Sequence, residues 1–177
     1  MTENIQLGES FVGDGVNAAH INTVLGERQG PVGTAWATAL ASPSEGFVPF
    51  VAVLQPSLPV KPMTLFVAKA SPANDLHGTA IWGPAQAGVA AGVADAVAEG
   101  VIPESTTDTH ALIVAVWVNP ETDDLDAIYR NNREATRRAL EAGAKNTPTA
   151  ADVVAARNAP RNPFYTPSEE VSADVAR

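Results

Sequence analysis

The chain has 177 residues, 45% hydrophobic and 18% charged, which suits a single domain built on one core. It contains no cysteine, and this excludes thiol nucleophiles, disulfide frameworks and Cys-based zinc sites. Eleven basic against 20 acidic residues leave a net charge of −9, a balance that disfavours sequence-independent binding to phosphate backbones or anionic lipid.

Residues 1–10 include Glu3 and Glu9 and lack the basic start and apolar run of a signal peptide, so a cytoplasmic protein is the expectation. Residues 5–12 alternate and stop at Gly13-Asp14-Gly15, and residues 18–25 resume as a strand. The pair reads as a hairpin whose turn uses glycines that tolerate positive φ, a reading preferred to a ligand cradle. Gly30-Pro31 opens a helix that Ser42-Pro43 ends, with Val32, Trp36, Ala39 and Leu40 as its apolar face. Residues 47–54 (FVPFVAVL) are nearly all apolar, the pattern of a strand covered on both faces.

Pro56, Pro59 and Pro62 predict an extended connection, and residues 63–70 predict another strand, followed by a loop through Ser71-Pro72 and an irregular piece to Ala80. Gly83-Pro84 reads as the start of a helix to Glu99, stopped by Gly100. Gly88 and Gly92 are expected to let that helix lie closely on the sheet. The run 81–94 meets Asp95 and Glu99 before it reaches the ~20 apolar residues of a membrane span. Residues 110–118 (HALIVAVWV) predict a second fully buried strand, and residues 123–142 a long amphipathic helix with Leu125, Ile128, Ala135, Ala139 and Leu140 inward. Thr147-Pro148 breaks the chain before a short helix near 150–157. The domain is expected to span 1–164, with 165–177 a mobile tail. Strands with helices inserted between them make an α/β (α+β) two-layer sandwich.

Chemistry-bearing motifs are few. There is no G-x-S-x-G and no phosphate-loop G-x-x-x-x-G-K, and His20, His77 and His110 are too scattered to form a paired-histidine metal site. Asp123, Asp124 and Asp126 sit at a helix start, where acids complement the dipole whether or not a cation binds. His20 and Asn22 project from one strand face and Ile21 from the other, which fits a water-facing pair as well as a site. Lys69, the lone charge at the end of an apolar strand, and Ser71 two residues on fit a solvated strand end equally well. Gln86 falls in the first turn of the helix begun at Gly83-Pro84, where free N–H groups could face a ligand.

Several blocks taken together say more. VGDG at 12–15, AHI at 19–21, GPVG at 30–33, LPVKP at 58–62, WGPAQ at 82–86 and EGVIP at 99–103 occur in an order and spacing that resemble the formaldehyde-activating enzyme family. The resemblance runs from about residue 5 to residue 164. It implies a ribosomal-protein-like βαβ sandwich with a left-handed crossover, an exception to the usual hand. It also implies a homopentamer with pterin sites between neighbouring subunits, and condensation of formaldehyde with tetrahydromethanopterin to methylene-tetrahydromethanopterin and water. In this sequence the family's catalytic histidine, regarded as the proton donor, is His20. The pterin-contacting Lys and Gln are Lys69 and Gln86. Three further contacting positions change type: the family's Asp is Asn22, its Leu is Val51 and its Thr is Ser71. Trp82 stands where the family has Phe, and the IHPE-like and HPF-like blocks read Val118-Asn119-Pro120-Glu121 and Asn162-Pro163-Phe164.

Such a condensation needs neither metal nor redox cofactor. A ring nitrogen adds to formaldehyde, an acid protonates the departing hydroxyl, and the second nitrogen traps the iminium. Asn22 lacks the carboxylate that would stabilise a charged His20, so His20 is expected to hold its proton less tightly than in an Asp-bearing relative. A non-catalytic homologue that binds a pterin or an aldehyde, as carrier, scavenger or sensor, is the alternative expectation, and a structural module with a decayed pocket is a third.

Overall fold

A computed structural model describes residues 5–168, in two compact units that divide after Asn146. The first unit is built on a five-stranded mixed sheet of order β1-β2-β7-β6-β3. β1 (Gln6–Val12) and β2 (Ala19–Glu27) form the expected antiparallel hairpin, with Val12 opposite Ala19. A 3₁₀ turn (Gly15–Asn17) lies between them, and Gly13 and Gly15 carry φ of 83° and 58°. β7 (His110–Trp117) pairs antiparallel to β2 and parallel to β6 (Met63–Ala68), and β3 (Phe50–Val51) closes the far edge. β4 (Val53–Gln55) and β5 (Leu58–Pro59) form a small separate ribbon.

One face of the sheet carries the core. Ile21, Leu25, Phe66, Leu112, Val114 and Val116 are buried against Val89 and Val93 of α3 (Gln86–Ala98) and Ile128, Ala135 and Ala139 of α4 (Leu125–Lys145). Side chains alternate along a strand, so His20, Asn22 and Val24 of β2 share the opposite face with Glu9, Phe11, Trp117, Ala115, Val67 and Val51. Helix α1 (Pro31–Ala41) reaches this second face only at the Gly26 end, where Val32 packs so closely that a Cβ on Gly26 would lie 2.7 Å from its Cγ2. The arrangement is the expected α+β sandwich, with its second face half covered.

Five local expectations are corrected. Residues 47–54 do not form a strand buried on both faces: only Phe50–Val51 and Val53–Gln55 are extended, while Phe47, Val48 and Leu54 are exposed. The edge position leaves these three uncovered, while Ala52 is fully buried and Phe50 packs against the core. β7 is not fully buried either, because its Ile113, Ala115 and Trp117 lie on the half-open face. Of the apolar face read onto α1, only Val32 is buried, so this helix shields a sheet end rather than contributing a core stripe.

The helix read as starting at Gly83-Pro84 begins eight residues earlier. Asn74 caps α2 (Asp75–Ala80), its side chain accepting the His77 N–H at 2.8 Å. A π-type turn (Ile81–Ala85) then carries Pro84 inside the helix and leads directly into α3. A wider turn leaves room for the proline ring, which an α-helical interior would not. Gly88 and Gly92 serve helix–helix contact instead of helix–sheet contact: an added Cβ would meet the carbonyls of Tyr129 and Arg133 on α4 at 2.5 and 2.4 Å. Across this seam Arg133 makes a bidentate pair with Asp95, at 2.6 and 2.8 Å.

The second unit holds α5 (Ala150–Ala156), closed by a capping box between Thr149 and Asp152, and a bridge between Asn162 and Tyr165. Of the tail expected to be mobile, residues 169–177 lie outside the described residues. Among the described residues no helix is long and apolar enough to cross a membrane.

Candidate active site

The half-open sheet face gathers charge at one end. His20 lies near the start of β2, flanked by Phe11 of β1 at a ring separation of 6.0 Å and by Trp117 directly opposite on β7. Its Nε2 lies 3.0 Å from Oε1 of Glu9, and its side chain keeps 37% of its exposure. On the other edge of the ring, Nζ of Lys69 sits 3.4 Å from Nδ1 and donates to the carbonyl of His20 at 3.3 Å. Lys69 reaches this position because β6 runs parallel to β7 and its backbone N–H continues the ladder to Val116 at 2.8 Å. Parallel pairing thus sets the end of β6 next to the end of β7, one strand from His20.

The electrostatics follow from this grouping. Burial, and then the charge of Lys69, hold the His20 imidazole below its usual value, while the charge and hydrogen bond of Glu9 pull it back up. Burial draws Lys69 down to about 8 against the attraction of Glu9. At neutral pH the cluster therefore holds an ammonium beside an imidazole, each disfavouring the charged form of the other, and a carboxylate that favours both.

In this chain burial and Lys69 weaken the hold of the ring on its proton, and a carboxylate at a position other than 22 stands beside it. Glu9, which sequence reading passed over, stands opposite Asn22 in the β1–β2 register and reaches diagonally to the ring. Alternation along 5–12 placed Glu9 and Phe11 on one face. The length of the turn, and hence which β2 residue they meet, is a property of the folded hairpin.

Asn22 lies on the same face, two residues along from His20. Val51 is also on this face but on β3, three strands from β2, which at ~4.8 Å per strand is about 14 Å. Ser71 is exposed in the loop after Lys69, packed so tightly on Gly46 (φ 76°) that a Cβ there would lie 2.1 Å from its Oγ. Gln86 is not at a helix N-terminus. It lies within the continuous helix, is nearly buried, and donates its amide Nε2 to the carbonyl of Val53 at 2.8 Å. One chain therefore joins His20, Lys69 and Glu9, keeps Asn22 near them, and sets Val51 and Gln86 at the opposite edge.

The other candidates have structural partners. His77 is fully buried, its Nδ1 accepting from the Ala73 N–H at 3.0 Å and its Nε2 lying 3.0 Å from the Val118 carbonyl. Asp124 caps α4 by accepting from the Ala127 N–H at 2.9 Å, and Asp123 accepts from Asn17 at 2.7 Å. The side-chain oxygen of Asn17 in turn takes the backbone N–H groups of Asp123 and Asp124, so the Gly13–Gly15 turn is anchored to α4. An open hollow of about 640 Å³ lined by Glu27, Arg28, Gln29, Asp108 and Thr109 lies at the other end of β2, away from His20.

The family model described as formaldehyde-activating enzyme matches residues 7–165. A 5,6,7,8-tetrahydromethanopterin hydro-lyase of Methanosarcina barkeri is 39% identical over 158 residues, covering 89% of each chain. Two proteins named bifunctional enzyme Fae/Hps are also similar. That of Methanosphaera stadtmanae is 39% identical over 164 residues, 93% of this chain and 40% of its own length. That of Methanocella arvoryzae is 44% identical over 135 residues, 76% of this chain and 34% of its own length. The chain thus spans well under half of these bifunctional relatives. A match over nearly all of the described residues, with a relative of similar extent, places this chain in the formaldehyde-activating enzyme family.

Proposed function

We propose that this protein is a hydro-lyase that condenses formaldehyde with tetrahydromethanopterin, giving methylene-tetrahydromethanopterin and water, with His20 as the proton donor. The observation that carries this reading is the imidazole held between Glu9 and Lys69 on an open sheet face. Condensation is limited by loss of hydroxide from the first adduct, and a positioned acid near neutral pH accelerates such a step by ~10²–10⁴. His20 supplies that acid, and Lys69 beside Nδ1 is the group that can return a proton to it. Phe11, Trp117, Val67 and Ala115 make the surroundings partly apolar, which suits a flat heterocycle with polar edges.

Asn22, Lys69 and Ser71 are assigned to positioning the pterin, and Val51 and Gln86 to contacts made from a neighbouring copy of the chain. The separation of Val51 and Gln86 from His20 on one chain supports a site shared between subunits of a homopentamer. The steps are two additions, proton transfers and an acid-assisted loss of water, so the reaction is proposed to need no metal. A cytoplasmic location fits the acidic composition.

The test is a spectrophotometric condensation assay with tetrahydromethanopterin and formaldehyde against the spontaneous rate, in the presence of EDTA. Acceleration by the protein and its loss in His20→Ala support the reading. Pterin binding without acceleration selects a carrier, scavenger or sensor instead, and no binding selects a structural module.

A further inference from the structure

The two ring nitrogens of His20 face different partners, and this distinguishes their roles. Nε2 lies 3.0 Å from a carboxylate oxygen of Glu9. An ionised carboxylate only accepts, so the hydrogen in this contact belongs to Nε2. Nδ1 faces the Lys69 ammonium, which only donates, so in the neutral ring Nδ1 carries the lone pair. Among the described residues the charged groups acting on the ring are Glu9 from β1 and Lys69 from the end of β6, while β7 contributes Trp117 and β2 itself the neutral Asn22. The core-side helices lie across the sheet.

We propose that Glu9 is a positioning residue for the reaction: by accepting the Nε2–H of His20 it fixes the ring so that Nδ1 is the nitrogen that exchanges a proton with the substrate. This assignment rests on the proposed function. The Nδ1 proton passes to the hydroxyl oxygen of the formaldehyde adduct. The C–O bond breaks, its electron pair leaves with water, and the lone pair on the attached nitrogen forms the C=N bond. Attack by the second nitrogen closes the ring, and the proton that nitrogen sheds is returned to Nδ1 of His20 with Lys69, beside Nδ1, as the relay. Nε2 keeps its hydrogen throughout. Glu9 therefore never exchanges a proton with the substrate, and its effect is on ring orientation and on the ease of charging the imidazole.

The experiment combines ¹⁵N NMR of the imidazole in the full chain with kinetics of Glu9→Gln and Glu9→Asp. In the wild type the neutral ring should show Nε2–H, with Nδ1 as the nitrogen that titrates. Glu9→Gln should lower kcat at neutral pH by about 10- to 100-fold, part of what a positioned acid supplies, with little change in KM. It should also shift the alkaline limb of the pH profile to lower pH. Glu9→Asp, which keeps the charge on a shorter stem, should recover part of the rate. A wild-type ring protonated on Nδ1 when neutral overturns the assignment, as does full kcat in a folded Glu9→Gln. A loss confined to KM also overturns it, since that would make Glu9 a binding group. Absence of any acceleration by the wild type overturns the proposed function itself. The NMR measurement then still decides whether Glu9 orients the ring.

Discussion

Lys69 has two roles that oppose each other. A half-buried ammonium with its pKa drawn down to about 8 is destabilising while it is charged. The unfolded chain binds the proton up to the ordinary lysine value, so the contribution of Lys69 to stability is least below pH 8 and rises between about 8 and 10.5 as the folded form sheds its proton first. Lys69→Met should therefore be more stable than wild type at pH 7, on the order of 1 kcal/mol after allowance for solvent screening, and the advantage should shrink toward pH 10. Urea unfolding at the two pH values measures it. The same variant should lose activity, because the proton next to Nδ1 is gone; stability given up at a working site is common. Wild-type kcat should correspondingly fall above about pH 8, where the His20–Lys69 pair loses the proton it holds. Asn22→Asp sets a carboxylate directly opposite Glu9. It should raise the His20 pKa in an NMR titration and lower the unfolding midpoint through like-charge repulsion across the strands.

At the scale of elements, the glycines of the α3–α4 seam determine how closely these two helices approach each other. Gly88 and Gly92 face α4 backbone at distances that no Cβ tolerates, and backbone cannot rotate away as a side chain can. Helix propensity alone favours alanine over glycine by roughly 1 kcal/mol. Steric conflict reverses the sign here: Gly88→Ala and Gly92→Ala should each destabilise by about 1–3 kcal/mol in equilibrium urea unfolding. Gly83, whose Cβ would meet nothing within 4 Å, is the control that should tolerate alanine. The π-type turn is the other decisive element. It admits Pro84 without ending the helix, so Gln86 lies within the helix, with its amide Nε2 donating to the Val53 carbonyl.

For the whole molecule, the uncovered sheet face and the spread of the candidate residues lead to one arrangement. His20 and Lys69 stand at one end of the face, with Val51 three strands from His20, and the amide of Gln86 lies at that far edge. If the site is shared between subunits, light scattering should give a mass five times that of the 18.3 kDa chain. His20→Ala and Gln86→Ala, each inactive alone, should recover part of the activity when unfolded and refolded together, because some mixed sites then contain both native side chains. No recovery would place both residues of each site on one chain.

The hairpin, the β6 and β7 strands, the amphipathic α4 and the α+β layering were legible in the residues, because alternation, helical periodicity and turn glycines act over a few positions. The ordered blocks from VGDG to EGVIP pointed to the family for the same reason: they are local. Whether an apolar run is covered was not legible, and within residues 47–54 Phe47, Val48 and Leu54 are exposed while Ala52 is buried, because burial depends on what lies beside a strand. Nor was the partner of His20. Glu9, 11 positions earlier, meets it only through hairpin register, and Lys69, 49 positions later, only through parallel pairing of β6 with β7. Residue types and their periodicity follow from the chain; which charges share a few ångströms is decided by strand order and register, and those exist only after folding.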